Sequence, residues 1–314
     1  MSKNLSNLER LLDAGKFAVT AEIGPPMSVS ADFVRKRARE LKGSVDAAYI
    51  TDNQTAIVRM SSIAAAVIAA EEGIEPVIQM VCRDRNRIAI QSDLLGAYAL
   101  GLKNLLVLSG DHQSFGNHPG SKNVYCVDST QLIYSLKELH ENGVFMGGSA
   151  CKTPPRFFLG GAAHPFADPQ ELQIMRMEKK IAAGARFITT QAVYDIGKFK
   201  AWMELVRERG LHKKTYIQAG ICVNKTLKSL QMTKLVAGMD VPDYLIERME
   251  KAEDKQAEGI NIAVDLLTEI IKIEGISGIH IMAIGWEAAV PEIVGRLGLL
   301  PRPVADLEGQ NVSV

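Results

Sequence analysis

The sequence predicts a closed parallel (β/α)8 barrel forming a single domain over residues 1–314. Three observations lead there. Eight short apolar runs alternate with stretches of helical periodicity. The runs are continuously apolar instead of alternating, which marks strands buried on both faces under a layer of helices. The position after the first run, where a dinucleotide-binding fold carries GxGxxG, holds Gly24-Pro25-Pro26. A doubly wound open sheet is the competing architecture, and the third observation weighs against it.

Each element has a local reason. Phe17 to Ile23 is a β-branched run stopped by the Gly-Pro-Pro breaker, and Ser30 caps a helix from Ala31 to Leu41 with Gly43 as its stop. Asp46 to Thr51 is the second strand, followed by an Ala-rich helix from Met60 to Glu72 closed by Gly73. Pro76 to Cys82 is the third, with a helix from Asn86 to Leu100. The Asn104 run is the fourth strand and ends abruptly at Ser109-Gly110-Asp111-His112. An irregular loop reaches Asp128 before a helix from Ser129 to Glu141. Arg156 to Ala162 is a fifth strand weakened by Gly160-Gly161, and Asp168-Pro169 reads as cap plus first-turn proline of a helix running to Gly184. Arg186 to Gln191 and Thr215 to Ile221 are the next strands, each followed by a helix, Lys198 to Arg209 and Asn224 to Val236. Pro242 to Lys272 is helical with a break near Gly259, Gly278 to Gly285 is the eighth strand, and Pro291 to Leu297 the last helix.

Composition narrows the class. Lys plus Arg and Asp plus Glu stand at 36 each, so no net field favours nucleic acid or an anionic membrane. No run approaches the roughly 20 apolar residues of a membrane span, and Met1 to Leu5 lacks a secretory signal, so a cytoplasmic enzyme is expected. The four cysteines at 82, 126, 151 and 222 form no CxxC pair and read as reduced thiols. HExxH is absent, no histidines fall at helical ligand spacing, and Leu108-Ser109-Gly110 lacks a nucleophile-elbow frame, so neither a metal site nor a serine nucleophile is expected.

In a parallel barrel, ligands bind at the carboxyl ends of the strands. There this sequence offers Glu22, Thr51-Asp52-Asn53-Gln54, Cys82-Arg83-Asp84, Asp111-His112, His164, Gln191, Gln218 and Trp286. Each has a plain structural alternative: Glu22 as a salt-bridge partner, Asp111 as a turn cap, His164-Pro165 as a loop histidine, Gln191 as a tie between backbone groups. Their shared position favours acid–base work beside a bound cofactor.

At these residues the sequence resembles the methylenetetrahydrofolate reductase family, flavin-containing barrels that reduce 5,10-methylenetetrahydrofolate to 5-methyltetrahydrofolate. Thr20 to Pro26 is similar to the family's first-strand motif, whose Glu, here Glu22, is the general acid. Ser109-Gly110-Asp111 resembles its (R/S)GD motif, whose Asp lies by the flavin pyrimidine edge and the pterin. His164-Pro165 and Ala167 match a cofactor-lining segment, and Thr189-Thr190-Gln191 with Asp195 matches a strand whose Gln meets substrate. The resemblance implies Glu22 and Asp111 as catalytic, Glu22, Asp111 and Gln191 as substrate-binding, and a flavin (FAD or FMN) held by Thr51, Asp52, Gln54, Gln79, Ser109, Gly110, Asp111, Tyr125, Cys126, His164, Ala167, Arg176 and Lys180. A carboxylic acid kept neutral at pH 7 suits N10 protonation, and Glu22 sits in an apolar strand with no basic neighbour in sequence.

Departures from the family pattern bear on the electron donor and on FAD versus FMN. The aromatic run after the Gln becomes Ala192-Val193-Tyr194, the third-strand His becomes Gln79, adenine-side contacts become Gln173 and Arg176, and Trp286 stands where an Arg is usual. Trp286 or Tyr194 would have to replace the lost stack. NADH or NADPH is the family's donor, but short acetogenic-type members are similar to this sequence, and they imply an electron-supplying partner subunit and an oligomer. Two rival classes stay open: a flavin-free folate or corrinoid methyltransferase barrel, and a non-catalytic partner-binding subunit.

Overall fold

The computed structural model describes residues 5–236 and 238–303. Its eight strands close into one parallel barrel in chain order, with β8 pairing back onto β1. The strands are β1 (Ala18–Ile23), β2 (Ala47–Ile50), β3 (Pro76–Val81), β4 (Asn104–Leu108), β5 (Phe158–Ala163), β6 (Phe187–Ala192), β7 (Tyr216–Cys222) and β8 (Ile276–Met282). Around them lie α1 (Asn7–Asp13), α2 (Ala31–Leu41), α3 (Ser62–Glu71), α4 (Arg87–Ala99), α5 (Ser129–Asn142), α6 (Gln170–Ala183), α7 (Ile196–Glu208), α8 (Leu227–Lys234), α9 (Asp243–Lys251), α10 (Lys255–Ile270) and α11 (Val290–Arg296). No described helix is long and apolar enough to cross a membrane.

Strand alternation divides the core in two. Val19, Ala21 and Ile23 of β1 face outward into the shell packed against the helices. Ala18 faces inward, with Tyr49, Val77, Leu106, Phe158 and Phe187, into a separate cluster inside the ring. Leu8, Leu11 and Leu12 join that inner cluster, so α1 plugs the amino-terminal end of the barrel. The sequence reading has no element before Phe17. Its signal was there: Ser6 caps α1 by accepting from the Glu9 N–H at 3.0 Å, three residues on, ahead of spaced leucines.

Three other expectations change. Asp168 is not the cap of α6; Pro169 occupies that place, after a cis peptide, with no side-chain cap. The break between α9 and α10 falls before Asp254, which caps α10, and not at Gly259. Gly259 is inside α10, where a Cβ would lie 2.0 Å from the Asn224 carbonyl oxygen, so glycine permits close approach. The weak-looking fifth strand is a full strand. Gly160 makes room for the Phe187 ring, 2.1 Å from where its Cβ would be, and Gly161 for the Lys180 stem.

Candidate functional site

The carboxyl ends of the strands enclose a cavity of about 520 Å³, within the ordinary range for small-molecule sites. Its floor is a polar layer built by inward-facing residues of five strands. Thr20 Oγ1 donates to Gln218 Oε1 at 2.9 Å, and the Tyr49 hydroxyl lies 2.8 Å from Thr189 Oγ1 and 3.2 Å from Gln218 Oε1. His280 Nδ1 is 3.0 Å from Thr20 Oγ1, and its ring stacks on Tyr49 with centroids 4.2 Å apart. Burial pushes the Tyr49 phenol pKa well up, so it stays a neutral donor.

Above this layer stands Glu22, two residues on from Thr20 and therefore on the same inner face, with only 8% of its surface exposed. It has no basic neighbour in sequence, but the fold brings one close: His280 Nε2 from β8 lies 3.8 Å from Glu22 Oε2, too long for a hydrogen bond but in ion-pair range. Cys222 of β7 also lines the cavity, and burial, opposed by the Tyr194 contact and helped by the nearby Glu22 charge, pushes its thiol pKa up to about 11. Gln191 reaches the cavity at a register shift between β6 and β7, where Thr190 Oγ1 accepts from Gly220 N–H at 3.0 Å. Such a bulge re-aims a side chain at a strand end.

Gln79, Ser109, Gly110, Thr51, Gln54, His164 and Lys180 share this cavity wall. Thr51 donates to Gln54 Oε1 at 3.1 Å. Asp111 lies at the rim, where its Oδ2 accepts the Thr55 N–H at 3.1 Å. Asp52 also borders the cavity, but its carboxylate is consumed by the Val81 N–H at 3.0 Å and by Arg85 at 2.7 and 3.1 Å. That ties the end of β2 to β3 and leaves backbone as what Asp52 offers a ligand. Tyr125, Cys126, Ala167 and Arg176 are outside the lining. Tyr125 donates to the Gly110 carbonyl at 3.3 Å, and Cys126 opens onto a different groove beside α5 and α6. The Ala167 N–H donates to the His164 carbonyl in the rim loop.

Lys180 comes from α6, where its stem crosses Gly161 and its Nζ donates to the Ala162 carbonyl at 2.6 Å. Burial, then the Arg176 charge, lowers its pKa. The rim's enclosure, then Lys180 and Arg176, lowers the pKa of His164. Arg176 stands near both as a like charge. Lys180 is half-buried, with exposed His164 and Arg176 near it; cations without a paired carboxylate are what a phosphate-bearing cofactor would complete, so these residues fit the phosphate end of a flavin nucleotide. Among the described residues no group of three or more His, Cys, Asp or Glu is placed to hold a metal.

A family model described as methylenetetrahydrofolate reductase matches residues 7–298, from the plug helix through α11. The chain belongs to the methylenetetrahydrofolate reductase family. Its similarity to individual family relatives is low. It is 23% identical to Methylenetetrahydrofolate reductase 1 of Schizosaccharomyces pombe over 78% of this chain and 39% of that protein. It is 24% identical to a probable methylenetetrahydrofolate reductase (NADPH) of Caenorhabditis elegans, over 97% of this chain and 45% of the relative. The chain thus spans under half the length of these relatives, whereas it covers 73% of the 22% identical 5,10-methylenetetrahydrofolate reductase of Pectobacterium carotovorum. Among solved structures, a Clostridium thermocellum protein that binds two copies of 5-methyl-5,6,7,8-tetrahydrofolic acid superposes with a TM-score of 0.68. It is 14% identical and covers 93% of this chain and all of its own, so the likeness is one of fold.

In this methylenetetrahydrofolate reductase family site, His280 was not singled out from sequence, whereas Arg83 stood among the strand-end candidates. His280 is hidden between Ile279 and Ile281 and reads as strand interior, although strand parity with Glu22's inward face would have exposed it. Arg83 is buried, donating to the Asp111 carbonyl at 2.9 Å, the Asn53 carbonyl at 3.2 Å and Asp84 at 2.6 Å. Its position at the end of β3 was the signal.

Proposed function

We propose that this chain reduces 5,10-methylenetetrahydrofolate to 5-methyltetrahydrofolate with a bound flavin. The observation that carries the reading is Glu22, a buried acid just above the polar floor of the barrel-mouth cavity in a chain of this family. Support for folate comes from the Clostridium thermocellum neighbour, and support for flavin from a riboflavin lyase solved with modified FMN, at a TM-score of 0.55 and 11% identity.

A bound flavin supplies the hydride chemistry that no side chain here offers. The protein's own residues do the rest. Glu22 gives a proton to N10 and opens the imidazolidine ring to the N5 iminium cation. Asp111 at the rim offers negative charge to that cation and would disfavour added negative charge on a flavin held beside it. Gln191 hydrogen-bonds the pterin. Lys180 would hold a flavin phosphate, with Arg176 adding charge from outside the lining, His164 and Gln79 would border the cofactor, and Thr51, Gln54, Ser109 and Gly110 would close its walls.

Glu22→Gln tests the assignment. The amide is nearly isosteric but carries no acidic proton, so the variant should stay yellow and lose about 10²–10⁴-fold in folate turnover. Its flavin should still be reduced by an artificial donor. Turnover near the parent rate would remove Glu22 from the acid role, and a colourless protein after flavin loading would favour the flavin-free methyltransferase barrel.

A further inference from the structure

The loop after β2 contains three non-glycine residues in the left-handed region: Asn53 (φ 43°), Thr55 (φ 58°) and Ala56 (φ 56°). For a β-branched residue this is an outlier, because Cβ crowds the adjoining carbonyl, and each such residue is disfavoured about five- to thirty-fold. No glycine in the loop relieves it. Strained backbone persists only where its surroundings impose it.

Here the imposing element is the loop after β4. Asp111 Oδ2 accepts the Thr55 N–H at 3.1 Å, and Asn117 Oδ1 accepts the Val58 N–H at 3.1 Å. Between those two bonds, the Gly116 backbone lies so close to Ala56 that a Cβ would sit 1.8 Å from the Ala56 carbonyl oxygen. From the end of β3, Arg83 binds the carbonyls of both Asn53 and Asp111, locking the two loops at their roots. The gripped turn is not peripheral: Asn53, Gln54 and Thr55 line the cavity beside Glu22.

We infer that Asp111 is a positioning residue in addition to a source of charge. Its carboxylate latches the 53–56 turn in a strained shape, and that shape is the wall that sets ligand affinity. Only the identity of the ligand rests on the flavin reading above. Unlatched, the turn would relax, and apparent affinity would drop by the fraction of molecules that keep the binding shape.

The latch and the charge separate by substitution. Asn at 111 can still accept the Thr55 N–H through Oδ1 but carries no charge, whereas Ala can do neither. Glycine at 55 adopts positive φ without steric cost and needs no latch. Amide hydrogen exchange over residues 53–58 and FMN titration are measured for the parent, Asp111→Asn, Asp111→Ala and the double variant Asp111→Ala/Thr55→Gly. Exchange at Thr55 should stay slow in Asp111→Asn and become about tenfold faster or more in Asp111→Ala. FMN affinity should fall about five- to thirty-fold in Asp111→Ala and return to within about threefold of the parent in the double variant. Slow exchange in Asp111→Ala, equally fast exchange in Asp111→Asn, or a double variant as weak as Asp111→Ala would each overturn the latch. If the parent itself takes up neither FMN nor FAD, the flavin reading fails while the exchange series still decides the latch.

Discussion

Lys180 is the residue whose surroundings make the sharpest demand on a ligand. Burial and then Arg176 lower its pKa below the ordinary 10.5. A depressed amine pKa means the fold disfavours the charged form. Its stabilising contribution is complete above the ordinary value and is lost as pH falls through the lowered one. At neutral pH the protein therefore carries an ammonium it would release, and an incoming phosphate offsets that cost. FMN should bind more tightly than riboflavin at neutral pH, by about 10- to 100-fold for one charge-assisted contact. The advantage should fade with rising pH before the ordinary lysine value is reached. In Lys180→Met the pH-dependent part of the ratio should vanish; fluorescence titrations of both ligands that show the ratio intact would put the phosphate elsewhere. Legibility at this scale was uneven. Glu22 and Asp111 stood out because acids interrupt apolar runs at strand ends. His280 did not, because its partners Glu22, Thr20 and Tyr49 lie at the other end of the chain and only barrel closure brings them together. Asp52 looked like a ligand contact, and nothing in its vicinity announced that Arg85 and the Val81 amide would occupy it.

At the scale of elements, β5 shows what sequence pattern hides. Glycines argue against a strand because they weaken it, yet Gly160 is paired in register with Phe187, whose ring fills the space a side chain would take. Gly160→Ala should overpack this point and cost about 1–3 kcal/mol in urea unfolding. Phe187→Leu in the same chain should recover part of that loss, giving a coupling between the two sites. Additive effects in the double variant would mean that β5 shifts to absorb the methyl group. The other strands were readable because burial on both faces leaves an apolar run with no competing periodicity. The plug helix α1 was missed for the opposite reason: seven residues give too few turns for a helical period to stand out.

At the scale of the whole molecule, the electron donor is the open question that the cavity addresses. Neither candidate for a replacement aromatic platform is in place. Tyr194 is fully buried, its hydroxyl donating to the Cys222 carbonyl at 2.8 Å, and Trp286 sits under Lys225 outside the cavity lining. Among the described residues that line the cavity, Tyr49 is the sole Phe, Tyr or Trp, and it is committed to the floor. Each missing stack forgoes about 0.5–1.5 kcal/mol, so two forgo about 5- to 150-fold in nicotinamide affinity. The isolated chain should oxidise 5-methyltetrahydrofolate with an artificial dye but use NADH or NADPH poorly until an electron-supplying partner is added. Rapid anaerobic reduction of its flavin by NADH alone would end that expectation.

The plug helix also sets a timetable. It leaves the ribosome before every other described helix, yet its seats are made much later. Glu75 accepts the Asn7 and Leu8 amides, Glu9 is gripped by Arg156, and Asp13 meets Arg186 and the Tyr216 hydroxyl. At about 5–20 residues per second, Arg186 follows α1 by roughly 10–35 s. During that interval three leucines destined for the inside of the ring have nowhere to go. Nascent chains stalled before Arg156 emerges should leave Leu8, Leu11 and Leu12 open to protease, and released chains should protect them. Made early, the plug helix is seated only once most of the ring is in place.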